Sequence, residues 1–581
     1  MDHPLSHNKC DFLIIFIFLW ATGVSQSMTS PLMAASPLLT QNSYPQPVPP
    51  DPPIPEPQFP PALPPPEELM PSPTPDSPPT EPNVEQSQTR VIKQFIFQGN
   101  TAFSNQELAA VTQSFLNRPI TFAELLQARS AVTDLYVSNG YITSGALIPP
   151  QTLEAGVVKI QIVEGEIAEL NITGTGRLNS NYVRSRLEKA ISKPLNQNHL
   201  LEALQLLQLN PVISTISAEL SAGIRPGESI LNVEFQTADT FTVKAFSDNS
   251  RPPSVGTFRR GIEVIEGNVF GQGDRFNVVY SNTDGSDIVD LTYDFPINSR
   301  NGTLGVYFNY TDSQVIEQPF EDLNIEANSY TYEFRYRQPI IQTPQQELTL
   351  GLALTRRETD TSILGVGFPL SRGAENNGET RLSIIRFYQE YVHRGAKQVL
   401  AARSQFSLGV GALNATINNN DEPDSRYLAW RGQAQWLRLL APDTVLLVRS
   451  DIQLSNEELI PLEQIGLGGF ETVRGYRQDF LLRDNAAFAS VELRYPLLRT
   501  SNGEGVLQLT PFVDLGRAWN ANSDLEIDSR TLFSVGLGLR WQYSDRLTLK
   551  LDWGIPLTDI DSGERTLQEN GIYFSIDWNL L

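Results

Sequence analysis

The chain has 581 residues, 43 of them basic and 66 acidic, for a net charge of −23. That length exceeds one ordinary core and predicts two or three units, while the acidic balance argues against nucleic acid as a partner. Four histidines and one cysteine leave little for metal or thiol chemistry, and His3, His7 and Cys10 fall in a predicted export signal, so no metal, cofactor or disulfide framework is expected.

Residues 1–27 have the pattern of a signal peptide. Lys9 precedes nine consecutive apolar residues at 12–20, and small residues follow at 21–27. A run that short is a signal core, not a membrane-spanning helix. No clean Ala-x-Ala fixes the cleavage point. No later stretch approaches the roughly twenty apolar residues that a spanning helix needs, so any membrane passage must use strands. Residues 28–89 form a proline-rich disordered linker, with about half of the 41 prolines between 31 and 82. Such a segment is extended and serves as a spacer. A proline-rich docking ligand and a strand threading a pore are the alternatives.

Two α+β modules follow. In 90–164 the pattern predicts a strand at 91–98, helices at 105–116 and 122–138, and strands at 142–148 and 157–163. The second helix spaces Phe122, Leu125, Leu126, Arg129, Val132, Thr133 and Tyr136 at three and four residues, and Asn139-Gly140 suits its left-handed cap. In 165–238 the same β-α-α-β-β order returns: a strand at 166–172, helices at 181–190 and 196–209, strands at 213–220 and 230–235. Two such modules resemble polypeptide-transport-associated (POTRA) domains. The run from Phe95 through Gly99 to Phe103 and the run Ile162-Val163-Glu164-Gly165 carry the likeness for the first.

Residues 239–581 lose the helical period and alternate in segments of about ten residues, the signature of a transmembrane barrel. Tyr330, Tyr332, Phe334 and Tyr336 oppose Thr331, Glu333, Arg335 and Arg337; Phe533, Val535, Leu537, Leu539 and Trp541 oppose Ser534, Gly536, Gly538, Arg540 and Gln542. A soluble sandwich alternates too, but here the polar face carries full charges and the apolar face ends in aromatics. Short turns near 271–273, 298–302, 441–443, 500–505 and 544–545 alternate with long polar loops at 311–328, 357–379, 413–425 and 455–486. Together these predict a 16-stranded antiparallel barrel running from about Phe241 to Leu580.

One loop carries the candidate site. Gly468, Gly469, Val473, Arg474, Gly475 and Tyr476 lie in the loop at 455–486, and the strand at 507–516 places Phe512, Asp514 and Gly516 on its lumen face. A guanidinium folded into a confined space must recover lost hydration by pairing, and Asp514 is its expected partner. The glycines let the loop turn sharply and approach the wall.

The two modules, the barrel and the Val473-Arg474-Gly475-Tyr476 and Phe512-Val513-Asp514-Leu515-Gly516 runs together resemble the two-partner (type V) secretion transporters of the haemolysin secretion/activation family, ShlB/FhaC/HecB. The resemblance implies an outer-membrane, single-chain pore whose periplasmic modules recognise a client exoprotein. It would export that large unfolded chain without ATP and without enzyme chemistry, in contact with outer-membrane lipid. An exposed edge at Ile142, Ser144, Ala146 and Ile148 is the candidate client-binding edge, by β-augmentation. Family members often carry an N-terminal helix in the pore; residues 28–83 are too proline-rich to read as one, and the sequence leaves a plug open. The alternative is an insertase or import pore of the same superfamily, which usually carries more modules. A passive porin needs no such modules, and no Gly-x-Ser-x-Gly elbow, phosphate loop or His-Glu-x-x-His helix supports an enzyme.

Overall fold

The computed structural model describes residues 54–61, 63–70, 89–152, 156–419, 422–521, 530–559 and 566–581. The signal expected at 1–27, its cleavage point and most of the linker at 28–89 lie outside the described residues.

In the first module, Ser104 and Thr121 start the helices Asn105–Thr112 and Phe122–Ser138, each through a reciprocal capping box with a glutamate three residues on. Leu125, Ala128, Val132 and Tyr136 form the buried face of the second helix. They pack on Val158, Ile160 and Ile162, the inward residues of the strand Val157–Val163. That strand is central, parallel to Gln94–Gln98 and antiparallel to Gly145–Leu147. Two expected strands are shorter than the sequence predicts. Arg90–Val91 breaks away to pair with Pro119–Ile120. The strand expected at 142–148 contracts to Gly145–Leu147, because the Ser144 N–H turns back to the Tyr141 carbonyl and the Ser144 hydroxyl accepts from the Gly165 N–H.

The second module repeats the order with longer strands: Glu166–Thr175, Ile213–Ala222 and Glu228–Thr237, the last in the centre. The helices Ser180–Ala190 and Gln197–Gln208 cover one face, and Leu200, Leu204, Leu207, Val233 and Phe235 fill the core between. The modules are bonded across their boundary: Gln197 N–H donates to the Gly140 carbonyl at 2.8 Å, and the Asn196 side-chain amide to the Asn139 carbonyl at 3.1 Å.

The remainder is a closed barrel of sixteen antiparallel strands, from Phe241–Asp248 to Ile572–Asn579; the two-residue strand Val366–Gly367 is a flap on the end of Gln346–Ile363. Val513, Leu515, Leu537, Leu539, Tyr332 and Phe334 point outward and are exposed, whereas Thr510, Phe512, Asp514 and Ser534 point inward and are buried. Short turns at 343–345 and 396–397 join those expected at the end nearer the modules. At the far end the strands run further than predicted. Ile325–Gln342 and Gln346–Ile363 have 18 residues each and hold one register from Ile325 opposite Ile363 to Pro339 opposite Thr349, so the loop expected at 357–379 shrinks to 364–378. Register shifts fall beside Pro339 and Pro496, where a missing N–H donor makes a bulge cheap.

The barrel closes where the last strand meets the first, from Ser575 opposite Asp248 to Asn579 opposite Lys244. The Asn249 side chain prolongs this seam by bonding the backbone of Ile572 and Phe574. Among the described residues no helix is long and apolar enough to cross a membrane.

Candidate functional site: a loop clamped to the inner wall

The longest loop of the far end lies between the strands Thr444–Ser455 and Asn485–Arg499. It folds inward as a hairpin, Ile465–Leu467 against Leu481–Arg483. Ile465, Leu467, Val473, Tyr476 and Leu481 bury against Phe488, Ala518 and Leu532 of the wall. This apolar seat holds the tip in place before any charge is counted.

At the tip, Arg474 is 2% exposed and Asp514 is fully buried. The guanidinium engages Asp514 with two arms, Nε to Oδ2 at 2.9 Å and Nη2 to Oδ1 at 3.1 Å, and the Arg474 N–H adds a third bond to Oδ2 at 3.1 Å. Its Nη1 reaches Glu492 at 2.8 Å and Asp552 at 3.2 Å. The face of the cation stacks 3.4 Å from the Phe512 ring centroid. Three carboxylates and an aromatic therefore converge on one arginine. Only the planar, five-donor fork of arginine satisfies that arrangement.

Two further contacts set the backbone. The Tyr573 hydroxyl accepts from Gly475 N–H at 2.9 Å and donates to the Tyr476 carbonyl at 2.5 Å. The Tyr476 hydroxyl in turn donates to the Phe533 carbonyl at 2.8 Å. Gly475 has φ +101, a conformation that side chains resist. Gly554 lets the loop come this close: a Cβ there would lie 2.6 Å from the Gly475 nitrogen. Gly516 does the same for Val473 and Leu467, and Gly468 and Gly469 also have positive φ, at +111 and +99.

The structure thus brings together Arg474, Asp514, Val473, Gly475, Tyr476, Phe512 and Gly516. Sequence reasoning missed Glu492, Asp552, Tyr573 and Gly554. The inward parity of Glu492 and Asp552 was visible, yet nothing local distinguishes them from other lumen acids. Beside the loop the lumen leaves a cavity of about 1190 Å³, lined by Arg335, Arg431, Asp451, Glu492 and Asp552 among others. Among the described residues no group of histidine, cysteine or acidic side chains is placed to hold a metal.

The edge residues fall apart. Ile142 lies outside the strand and is exposed, while Ser144 and Ala146 are buried. The Ala146 N–H is already taken by the Thr133 hydroxyl at 3.0 Å. A longer edge, Ile213–Ala222, borders the second module.

Residues before the modules also reach the lumen. Glu56 grips Arg494 through both oxygens, at 2.6 and 2.8 Å, and Gln435 donates to the Ile54 carbonyl at 2.5 Å. Residues 54–61 carry neither helix nor strand.

Comparison with known proteins matches residues 227–541 to the haemolysin secretion/activation protein family ShlB/FhaC/HecB. The chain belongs to that family. Residues 91–165 match the ShlB-type POTRA domain. The outer membrane transporter CdiB of Dickeya dadantii is 22% identical over 450 residues, 74% of this chain and 77% of its own. The heme/hemopexin transporter protein HuxB of Haemophilus influenzae is 20% identical over 469 residues, 77% of this chain and 80% of its own. Among solved structures, CdiB from Escherichia coli superposes with a TM-score of 0.67 at 19% identity, over 87% of this chain and 93% of that one. BamA from Haemophilus ducreyi lacking POTRA domains 1–3 does so at 0.53 and 14% identity, over 84% and 100%. These likenesses carry the fold: POTRA-type modules in the periplasm ahead of a 16-stranded outer-membrane barrel. The family is one of two-partner secretion transporters, and the insertase alternative is not favoured.

Proposed function

We propose that this transporter binds one large unfolded exoprotein through its POTRA modules and passes it through the barrel lumen, with the Arg474 loop holding the pore in its working shape. The observation that carries the reading is the clamp itself. A loop that could hang free in solvent is instead pinned to the inner wall by three carboxylates. Pinning this strong at the centre of a hydrated channel makes sense where the channel must stay open to a passing chain and yet not collapse. No bond is made or broken, so the reading includes neither ATP nor an enzymatic step. The barrel acts as a single chain, its apolar girdle in contact with lipid.

For the client, β-augmentation onto an open edge suits an unfolded chain of any sequence, because main-chain bonds supply the affinity. The edge Ile142–Ile148 has only three residues in ladder geometry, and Ile213–Ala222 offers ten. On that edge the Gln208 side chain already bonds the Ser214 carbonyl at 2.9 Å and the Ile216 N–H at 3.1 Å, so the open part lies beyond Ile216. By the two-residue period, Ala218 and Leu220 direct their backbone the same way.

Deleting the gene and profiling the culture medium tests the function. Loss of one large exported protein, with the outer-membrane protein profile intact, is the expected result. Depletion of many barrel proteins would instead identify an insertase.

A further inference from the structure

The proline-rich segment is fastened at two ends. In the lumen, Glu56 holds Arg494 and Phe59 packs on Val399, Leu437 and Leu447, close to the turns at the module end of the barrel. At the other end the single helical turn Pro66–Leu69 lies against the helix Gln197–Gln208 and the strand Ile213–Ala222. There Leu69 is 1% and Met70 7% exposed, both inside the core cluster of the second module. Glu67 and Glu68 of the same turn stay in solvent.

Between the anchors the sequence is Pro57-Gln58-Phe59-Pro60-Pro61-Ala62-Leu63-Pro64-Pro65. A chain of this kind holds an extended, left-handed form of about 3.1 Å per residue and is stiff over several residues. A Gly/Ser linker would absorb a movement at one end. A polyproline strap passes it on.

The lumen anchor also touches the clamp. Arg494 Nε donates to Glu492 Oε1 at 2.9 Å, and Glu492 Oε2 accepts from Arg474 at 2.8 Å. Glu56, Arg494, Glu492 and Arg474 form one unbroken run of alternating charge.

Leu69 and Met70 are foreign to the module they complete. The chain returns from them to the first module at Arg90, and it reaches the second only at Glu166. The second module has its own hydrophobic helices and sheet, yet leaves a groove between Gln197–Gln208 and Ile213–Ala222 that this distant pair fills.

We propose that this groove is a docking site for an apolar segment of the client, occupied at rest by Leu69 and Met70, and that a competing client segment frees the strap and with it the Glu56 contact inside the pore. The proposal rests on the export reading above. The fitting partner is an extended stretch that presents two adjacent apolar side chains, beside the strand edge that its flanking backbone can join.

The test uses the purified full-length transporter in planar lipid bilayers, with no client present. Leu69→Asp with Met70→Asp removes the anchor. Open probability is expected to rise about thirtyfold, equal to about 2 kcal/mol at about 1.4 kcal/mol per decade. Heat-modifiable migration checks that the barrel is intact. Should this variant misfold, the wild-type protein is titrated with a synthetic peptide of residues 63–71. The peptide is expected to open the channel, and the same peptide with aspartate at both apolar positions to leave it closed. Replacing residues 60–65 by a longer Gly-Ser spacer keeps both anchors and is expected to abolish the peptide response. An unchanged current in the folded double variant, or a channel indifferent to the peptide, would overturn the proposal and leave Leu69 and Met70 as core filling. Failure of the export reading is a separate result, since it shows in the culture medium and not in these currents.

Discussion

Glu492 stands between two arginines, its Oε2 2.8 Å from Arg474 and its Oε1 2.9 Å from Arg494. One carboxylate therefore serves both the clamp of the inward loop and the anchor of the proline strap. It is 8% exposed, which makes its loss costly on both sides.

Glu492→Gln is expected to weaken both contacts while keeping the side chain's shape. Limited proteolysis should show the inward loop and the strap becoming cleavable together. If only one of them loosens, the two are not joined through this residue.

Arg474→Ala leaves Asp514 and Asp552 without their shared cation and Glu492 with Arg494 alone. Breaking such a buried set costs on the order of 3–5 kcal/mol, and less where lumen water screens it. The barrel should still fold and migrate as heat-modifiable, with most export lost. Arg474→Lys keeps the charge but cannot span three acceptors, so secretion should recover only in part. A reciprocal exchange, Arg474→Asp with Asp514→Arg, should not rescue, because it puts a carboxylate beside Glu492 and Asp552. Secretion at the wild-type level by Arg474→Ala would remove the clamp from the mechanism.

Tyr573→Phe deletes one hydroxyl and strands two buried backbone groups, the Gly475 N–H and the Tyr476 carbonyl. The expected cost is about 1–3 kcal/mol, read as a lower temperature for loss of the folded band. Gly554→Ala should release the loop more completely, since its Cβ would meet the Gly475 nitrogen at 2.6 Å. A loop equally protected from protease in that variant would contradict the packing.

The first module carries an acid-sensitive joint. Burial acts to raise the Glu164 carboxyl, but hydrogen bonds from the Thr101 hydroxyl, the Ala102 and Thr101 N–H groups and Tyr136 outweigh it and hold the group below the usual carboxylate range. A depressed carboxyl contributes stability that is present above its unfolded value and is lost as pH falls through the folded one. Hydrogen exchange in Gln94–Gln98 and Val157–Val163 should quicken as the solution is acidified below the ordinary carboxylate range. Glu164→Gln should exchange faster at neutral pH by about 1 kcal/mol and lose most of that acid dependence.

The barrel and both modules were legible because each rests on a local period. Alternation placed Asp514 on the inner face, and helical spacing placed Leu125, Val132 and Tyr136 on one side. The pair Arg474 and Asp514 was legible because glycines mark where a loop can approach a wall. Asp552 and Tyr573 were not, since they meet the loop across separations of 78 and 98 residues that only closure of the cylinder imposes. Composition predicted an extended linker at 28–89; the helical turn Pro66–Leu69 departs from that, and composition had no means to tell that it would seat on the second module. The contraction of the edge at 142–148 followed from a serine that spends its hydroxyl on Gly165.

Every wall residue that fixes Arg474 belongs to the final quarter of the polypeptide: Glu492, Asp514, Asp552 and, through the backbone, Tyr573. The arginine is synthesised before any of them. Asp552 and Tyr573 stand on the last two strands, Leu547–Pro556 and Ile572–Asn579, so the full set of partners exists only once both strands are in the sheet. A fully seated loop is thereby a mark that both of those strands are in place.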